Sequence, residues 1–426
     1  MCDESLVSIP ESNVTGGRRW SVPPSPPLLS LYLSSAIAAL SLSLSISNLD
    51  FELGAVEGEV SKYVSVVKGN NLEHFKTALC DIKSATENFS EKYGIKSDED
   101  YNLYKAELDH YDVKNHSSVE ENKGKHQKRH NTVVVKRFFY KFDPQGEERF
   151  YTNIRMLTCV KHRNIVTLLG FCVEACEMIL VIENFHENLD DALMNIQVRT
   201  LTWEKRLNIC IDVAHASKYL HSKMIIHRDI CPWTIVLDEN LRAKIDNFFY
   251  SVCQEDEPLC LESVGRQFYY IDLAYEEDNK LKRAYDVYSF GVVLFEVLCG
   301  KLANHPIYLT ESEKGLSHVV TQRYNMGTLK DMVDPLLNDE TDENNIIQNR
   351  GPNQDSLDTF IAIAFRCMAK TQDKRPTMEN LTQELEKALY FQVSLEFLTF
   401  FFLSNLVLRK SLYLYFQVSQ IISICR

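Results

Sequence analysis

The sequence lacks an excess of positive charge. Its 46 Lys and Arg stand against 59 Asp and Glu, which gives a formal net charge of -13. Nucleic-acid binders usually carry a basic surface, so this balance argues against that class. The 45% hydrophobic and 25% charged shares are ordinary for a globular protein. A chain of 426 residues exceeds what one core usually organises, which favours two lobes plus extra segments.

Clustered cysteines are missing as well. The 12 cysteines are scattered, no CxxC pair meets a second at zinc-ribbon spacing, and no short cysteine-dense module indicates a disulfide framework. Most lie in apolar runs, where a free thiol packs as a small hydrophobe. We therefore predict a reducing location, in the cytoplasm or at the cytoplasmic face of the plasma membrane.

Both ends of the chain differ from its middle. Residues 1–77 form an extension with a serine-rich apolar segment at 28–46, long enough to span a bilayer but weakened by its serines. Arg18 and Arg19 before it would, by the positive-inside rule, place the large domain outside, which conflicts with the free thiols. Membrane association is therefore left open. Residues 392–426 form an apolar tail, for which a gene-model artefact at Gln392-Val393-Ser394 is one hypothesis.

Residues 78–391 are predicted to form an α+β domain of two lobes with a cleft between them. The N-lobe, about 78–183, contains strand patterns at 101–108, 132–139 and 178–183, with a polar loop at 115–131. The C-lobe, about 187–391, is helical. Apolar residues recur at helical spacing over 207–214, and 287–298 is apolar nearly all round, as in a buried helix. A polar insertion at 337–355 precedes another apolar helix at 357–368.

An ordered series of motifs runs through this domain. The triplet His227-Arg228-Asp229 is weak evidence alone, but other motifs accompany it in a fixed order. They are a strand ending in Lys136, then His162-Arg163-Asn164, later Asp286 to Gly291, and Lys374-Arg375-Pro376 at the end. With the local sequences at 84–90, 168–172 and 201–204, the chain resembles the kinase domain of plant receptor-like kinases and receptor-like cytoplasmic kinases. The resemblance covers roughly three-quarters of the chain.

The resemblance implies a two-lobed fold that binds ATP and Mg²⁺ and transfers the γ-phosphate to protein hydroxyls of Ser or Thr. It implies that Asp229 accepts the hydroxyl proton and that Lys136 pairs the α- and β-phosphates, so these two are the candidate catalytic residues. The implied nucleotide contacts are Lys136, Val134, Ile182, Glu183 and Val236.

The phosphate-binding loop departs from the family pattern. Its three glycine positions hold Lys96, Asp98 and Tyr101. Side chains there block the close approach of backbone N–H groups to phosphates, and the acids at 98–100 repel a triphosphate. We expect this loop to close the cleft without a ligand.

The other sites that touch ATP or metal are replaced too. Val134 replaces an alanine of the family, Asn153 replaces the glutamate that pairs with the strand lysine, and Phe249 replaces a glycine. The metal positions hold Thr234 and Asn247, which lack the charge of a carboxylate, so we predict no metal site. Asp246 precedes Asn247, but adjacent side chains on an extended segment face opposite ways, so we expect Asp246 to face away from the cleft.

The activation segment is altered near its end. Leu273-Ala274 replaces the family's Pro-Glu, which removes the buried glutamate that pairs with Arg375. Because an unpaired buried charge is costly, either Glu276 or Glu277 substitutes or Arg375 turns to water. Asp286 and Gly291, whose roles in the family are architectural, are intact.

Two functions follow. The first is a pseudokinase that acts in signalling as a scaffold or allosteric partner of an active receptor-like kinase or immune receptor. The alternative is a weakly active, ATP-dependent Ser/Thr protein kinase that relies on Lys136 and Asp229, with Asp246 compensating for the lost metal aspartate. A third hypothesis is a relic of gene duplication with imperfect exon boundaries, to which the unusual termini point.

Overall fold

The computed structural model describes residues 72–98, 100–111, 128–139, 144–194, 201–253, 268–271, 282–338 and 351–394. The chain divides into compact units at 1–62 and 63–426, and all described residues belong to the second. The serine-rich segment at 28–46 and the tail from 395 onward lie outside the described residues. The predicted domain boundaries stay predictions, although residues 72–77 already contact the sheet: Thr77 N donates to Phe171 O at 2.9 Å.

The N-lobe is a five-stranded antiparallel sheet. In chain order its strands are β1 (Gly94–Ser97), β2 (Tyr101–Tyr111), β3 (Lys128–Phe138), β4 (Leu168–Glu174) and β5 (Glu177–Glu183), and in space they follow the order β1-β2-β3-β5-β4. Two helices accompany it, α1 (Leu79–Ala85) and α2 (Pro144–Cys159). The predicted strands are present. The predicted loop at 115–131 is wrong at its end, because β3 begins at Lys128 and pairs with β2 there.

The alternation of side chains along β3 divides the N-lobe core into two clusters. Val133 and Val135 pack on one face of the sheet with Leu79 and Ile82 of the first helix. Val134 faces the other way and joins the larger cluster that continues into the C-lobe. This follows from the two-residue period of a strand, which sends neighbouring side chains to opposite faces. Strand β3 therefore directs Val134 and Lys136 toward the cleft.

The C-lobe is mainly helical. Its helices are α3 (Leu189–Met194), α4 (Trp203–Ser222), α5 (Ala284–Cys299), α6 (Pro306–Glu311), α7 (Leu316–Met326), α8 (Gln354–Cys367) and α9 (378–394). Short strands complete it: β6 (Glu187–Asn188) pairs with β8 (Ile235–Leu237), which pairs with β9 (Ala243–Ile245), and β7 (Ile225–Ile226) pairs with β10 (Val252–Cys253). The predicted α+β, two-lobed fold is confirmed.

The centre of the C-lobe is α5, which is buried nearly all round as its sequence predicts. Gly291 lets α8 approach it closely, since an added Cβ would lie 2.7 Å from Cys367 Cβ. Arg375 does not turn to water, so that alternative is wrong. The side chain is buried, donates to Ala369 O at 2.9 Å and Ala284 O at 3.0 Å, and lies over the Tyr288 ring. Glu276 and Glu277 lie outside the described residues.

Candidate functional site

Lys136, on the strand that borders the cleft, is buried and fully engaged with the segment after β9. Its Nζ donates to Asp246 Oδ2 at 3.0 Å and also contacts Asn247 Oδ1. Only 1% of the lysine side chain and 7% of the aspartate side chain are exposed. An ion pair this deep is poorly screened by solvent, and each charge depends on the other for compensation. The ammonium that the family directs to phosphates is thus neutralised within the protein.

The position of Asp246 corrects the expectation that it faces away from the cleft. That expectation assumed an extended backbone on which neighbouring side chains alternate. The strand ends at Ile245, and Asn247 has a left-handed backbone with φ of +63°. Asparagine tolerates this conformation better than most residues do. The turn brings both consecutive side chains to the same lysine.

Two aromatic rings cover the lysine. Lys136 Nζ lies 4.2 Å from the centroid of the Tyr101 ring and 5.3 Å from that of Phe249. Phe138 packs edge-on against both rings, with centroid distances of 5.6 Å in each case. These three residues, called the aromatic cluster below, are buried. Tyr101 and Phe249 stand where the family has glycines, so their side chains fill space that a ligand's phosphates would need.

The tyrosine also has polar contacts in this cluster. Asn247 Nδ2 donates to the Tyr101 hydroxyl at 3.4 Å. Burial raises the pKa of Tyr101 well above its usual value, so the phenol stays neutral. A neutral phenol beside a compensated lysine leaves no free charge at this point of the cleft.

Asn153 occupies the helix position at which the family has a glutamate. It is fully buried, and its Oδ1 accepts from Phe248 N at 3.2 Å. Its Nδ2 has no hydrogen-bond partner among the described residues. The amide therefore fixes the backbone beside Asn247, while Asp246 serves as the partner of Lys136. The charge that neutralises the lysine has moved from the helix to the segment after β9.

Thr234 is turned into its own loop. Its hydroxyl oxygen lies 2.7 Å from Asp229 O and 3.0 Å from Cys231 O, and it accepts from Cys231 N at 3.2 Å. The side chain is completely buried. A hydroxyl that is held by three backbone groups is poorly placed to coordinate a cation in the cleft.

The loop that carries Asp229 keeps its architecture. Asp286 accepts from the backbone N–H groups of His227 and Arg228 at 2.9 and 2.8 Å and lies 2.8 Å from His221 Nε2. Burial acts to raise the pKa of Asp286, but the hydrogen bond and charge of His221 outweigh it and leave the pKa lowered. Arg228 has a φ of +70°, a strained value that these bonds stabilise. Asp229 itself is partly exposed at the cleft.

The predicted nucleotide contacts are present but closely packed. Val134 and Ile182 pair across β3 and β5, and both belong, with Val236, to the buried cluster that joins the lobes. The Glu183 carboxylate accepts from Thr167 N at 2.8 Å and from Lys244 Nζ at 2.7 Å. The structure thus places Val134, Ile182 and Val236 in one buried cluster and Glu183 at the end of β5; their role toward a nucleotide stays a prediction.

The sequence did not predict a second contact across the cleft, between β1 and α3. Lys96 Nζ lies 3.1 Å from Asp190 Oδ2 and 2.7 Å from Asp191 Oδ2, and so ties β1 of the N-lobe to α3 of the C-lobe. A pocket of about 490 Å³ lies beside it, lined by Ile95, Lys96, Phe185, His186, Glu187, Asn188, Asp191 and Met194. The one signal for this contact was the pair of adjacent acids directly after the link between the lobes.

The residues present do not fit Mg²⁺-ATP in this arrangement. Aromatic rings fill the two glycine positions beside Lys136, and the charge of Lys136 is neutralised by Asp246. The two metal positions hold the Thr234 hydroxyl, which is already hydrogen-bonded to its own loop, and the Asn247 amide. Among the described residues, no group of three His, Cys, Asp or Glu side chains is arranged to hold a metal ion.

Comparisons with known proteins place this cleft in a family. The family model described as protein tyrosine and serine/threonine kinase matches residues 114–385, more than half of the chain. The chain therefore belongs to the protein kinase family, whose members use ATP and Mg²⁺.

Curated proteins similar to this chain include receptor-like kinases of Arabidopsis thaliana. The receptor-like protein kinase FERONIA is 33% identical over 340 residues, which cover 78% of this chain and 34% of that protein. Receptor-like protein kinase HERK 1 is 34% identical over 326 residues, covering 75% of this chain and 35% of that protein. The match to THESEUS 1 is 35% identical over 254 residues, 58% of this chain and 28% of that protein. The chain spans about a third of the length of these relatives.

The described residues contain no helix that is both long and apolar enough to cross a membrane. The apolar segment at 28–46 and residues 395–426 of the apolar tail lie outside the described residues.

Proposed function

We propose that the protein is a pseudokinase of the receptor-like kinase type, which works in signalling by binding other proteins rather than by transferring phosphate. One observation carries this proposal: the Lys136 ammonium is bound by Asp246 and Asn247 and covered by Tyr101. Productive phosphoryl transfer needs that charge on the nucleotide, because catalysis in this family rests on positioning and electrostatics.

The replacement of the lysine's glutamate partner by Asp246 supports the same function. In an active kinase the lysine is held by a helix glutamate while the metal aspartate stays free for Mg²⁺. Here one acidic residue, Asp246, is already paired with the lysine, and the metal position is an amide. Binding Mg²⁺-ATP would require breaking a buried ion pair and moving two aromatic rings, which costs free energy before any ligand contact is made.

A thermal-shift titration tests the proposal directly. A ligand at 100 times its Kd stabilises a folded protein by about 2.7 kcal/mol, which raises the melting temperature by several degrees. We expect no such rise with ATP and Mg²⁺. Titration with ATP and a chelator measures any effect of the nucleotide without metal.

Incorporation of labelled phosphate is the second arm. We expect none above the level of an Asp229→Asn variant, which removes the candidate proton acceptor. A Mg²⁺-dependent thermal shift, or label incorporation that disappears in Asp229→Asn, would contradict the pseudokinase proposal. Asp286 should not be changed in this test, because it accepts hydrogen bonds from the backbone of His227 and Arg228 and so holds the loop of Asp229 in place.

A weakly active Ser/Thr kinase is the second candidate. It is favoured by the location of Asp246, whose carboxylate reaches the cleft beside Lys136. If the ion pair opened, Asp246 could offer a carboxylate close to the position where the family binds metal, and Asp229 could accept a proton. Phosphate incorporation that is lost in both Asp246→Asn and Asp229→Asn would favour this candidate.

The partners proposed for the pseudokinase are proteins, specifically an active receptor-like kinase or an immune receptor. The kinship with receptor-like kinases supports this choice, as does a fold whose buried core is kept while its ligand positions are replaced. We place the protein in the cytoplasm or at the cytoplasmic face of the plasma membrane. Co-purification from plant cells of an active kinase that binds the wild-type chain tests the partner, with recovery of no kinase as the contrary result.

A further inference from the structure

The contact of Lys96 with Asp190 and Asp191, called the interlobe ion pair below, joins two parts of the fold that are more than 90 residues apart in sequence. Lys96 lies on β1, the edge strand of the N-lobe sheet, and the two acids begin α3 in the C-lobe. We propose that this ion pair is a closing contact, which holds the β1 edge of the N-lobe against α3 of the C-lobe without any nucleotide.

The contact is better shielded from water than an ordinary surface ion pair on its Asp190 side. One ammonium meets two carboxylates, Asp191 at 2.7 Å and Asp190 at 3.1 Å, and the side chains of Lys96, Asp190 and Asp191 are 30%, 12% and 38% exposed. Partial burial reduces the screening by water and salt that makes most surface pairs weak. The lysine also replaces a glycine, so the contact exists only because the phosphate-binding loop lost its usual residue.

Asp190 depends on this lysine for charge compensation. Asp190 Oδ1 is buried and has no hydrogen-bond partner among the described residues, so the charge of its carboxylate is compensated mainly through Oδ2 and Lys96. Burial raises the pKa of Asp190 while Lys96 acts against that rise. Burial acts to lower the pKa of Lys96, but Asp191 and Asp190 outweigh it and leave the pKa raised. Each charge therefore stabilises the other in the closed arrangement.

The consequence concerns access to the link between the lobes. The pocket beside the ion pair includes Ile95 from the N-lobe and Phe185, His186 and Met194 from the link and α3. Ile95 and Met194 are exposed on either side of it. Anything that enters the cleft from this side has to separate β1 from α3, so it has to break the ion pair first.

This contact is distinct from the one at the back of the cleft. The Lys136 pair and the aromatic cluster join β2 and β3 to the segment after β9, whereas the interlobe ion pair joins β1 to α3. The inference therefore does not depend on whether the protein transfers phosphate, and it goes beyond the proposed function.

Hydrogen exchange of the full chain tests the inference. In Lys96→Met, which keeps the length of the side chain but not its charge, amides of residues 94–97 and 189–194 should exchange roughly threefold to tenfold faster than in the wild type. The matched control is Lys92→Met, since Lys92 is an exposed lysine of the same lobe paired with Glu87 within that lobe. Its exchange should equal that of the wild type at both segments.

Two further variants separate opening from unfolding. Asp190→Asn combined with Asp191→Asn removes both carboxylates and should speed exchange at both segments as Lys96→Met does, and adding Lys96→Met to this variant should have no further effect. Amides of α5, at the centre of the C-lobe, report global unfolding and should exchange at the wild-type rate throughout. Unchanged exchange at 94–97 and 189–194 in Lys96→Met would overturn the inference, and so would faster exchange in α5 to the same extent.

Discussion

Lys136 Nζ lies 3.0 Å from Asp246 Oδ2, and this buried ion pair takes the place of the lysine–glutamate pair that the family forms between strand and helix. Asn153, at the helix position, instead holds the backbone of Phe248. The lysine of this protein is therefore part of its core. Its first task is to stabilise the fold.

The Lys136→Met substitution should destabilise the protein by about 3–5 kcal/mol, because it leaves Asp246 buried without a partner. Urea unfolding followed by circular dichroism measures the free energy of unfolding. Lys92→Met, which removes an exposed lysine of the same lobe, should leave the free energy of unfolding close to the wild-type value.

A double variant separates lost charge compensation from lost packing. Adding Asp246→Leu to Lys136→Met removes both charges, and it should recover part of the stability that the single change loses. If the two single substitutions are instead additive in the double variant, Lys136 and Asp246 do not stabilise each other.

Restoring the family residues should reopen the back of the cleft. We expect the combination of Tyr101→Gly, Asn247→Asp and Phe249→Gly to gain a Mg²⁺-dependent thermal shift with ATP that the wild type lacks. The same variant should be less stable without ligand, since truncating one buried aromatic side chain costs about 3–5 kcal/mol. The measurement is a thermal-shift titration against the unliganded variant.

The control for this restoration is Tyr104→Gly. Tyr104 lies on the same strand as Tyr101 but packs in the cluster on the opposite face of the sheet. It should lose stability and gain no response to ATP. If the restored variant folds but its melting temperature does not change with Mg²⁺-ATP, the aromatic cluster is not what obstructs binding.

Gly291→Ala should lower the free energy of unfolding by about 1–3 kcal/mol, because the added methyl would overlap Cys367 Cβ and Met368 Cγ, at 2.7 and 2.9 Å. Chemical denaturation of the variant measures this loss. Gly327→Ala is the comparison, since nothing lies within 4 Å of its added Cβ and its φ of +71° is the sole source of strain. That change should cost about 1 kcal/mol. Equal stability of Gly291→Ala and wild type would refute the close helix contact.

Glu296 should make stability depend on pH. Burial raises the pKa of its carboxyl from 4.5 to about 8, although hydrogen bonds from Tyr270 and Ala303 N act in the opposite direction. The folded state therefore holds its proton more tightly than the unfolded state does. The resulting stabilisation is complete below pH 4.5 and is lost as the pH rises to about 8, at up to ~1.4 kcal/mol per pH unit.

Glu296→Gln keeps the shape and removes the titration, so it should flatten this part of the pH profile. Urea unfolding at several pH values between 5 and 8 provides the measurement, with values chosen at about one-unit steps. The exposed Glu313→Gln serves as the control and should keep the wild-type slope. A slope that survives in Glu296→Gln would assign the pH dependence to other groups.

Much of the fold could be predicted because the motifs occur in a fixed order and the apolar periods are clear. The buried helix at 287–298 was found within α5, and the strands at 101–108 and 178–183 within β2 and β5. The beginning of β3 was missed, since residues 128–131 are polar and the strand there is fixed by pairing with β2. Polar residues form a strand when a neighbouring strand supplies the hydrogen bonds.

The sequence shows which family positions of the candidate site are replaced, but it did not predict the geometry of the site, and the roles of its residues toward a ligand stay predictions. The losses at Tyr101, Asn153, Thr234, Asn247 and Phe249 are visible in the sequence. The direction of Asp246 was predicted wrongly, because one left-handed residue, Asn247, ends the strand alternation on which that prediction relied. No local pattern indicates such a turn at this position.

The sequence by itself determined the family, the two lobes and which ligand positions have been replaced, since these depend on residue types in a fixed order. Only the tertiary structure decided what the replacing residues do. Lys136 meets Asp246, and Lys96 meets Asp190 and Asp191, across separations of 110 residues in the first case and 94 and 95 in the second. Such contacts depend on how the two lobes pack against each other. The long chain segment between the two partners does not fix the distance between them, so the sequence alone does not predict the contact.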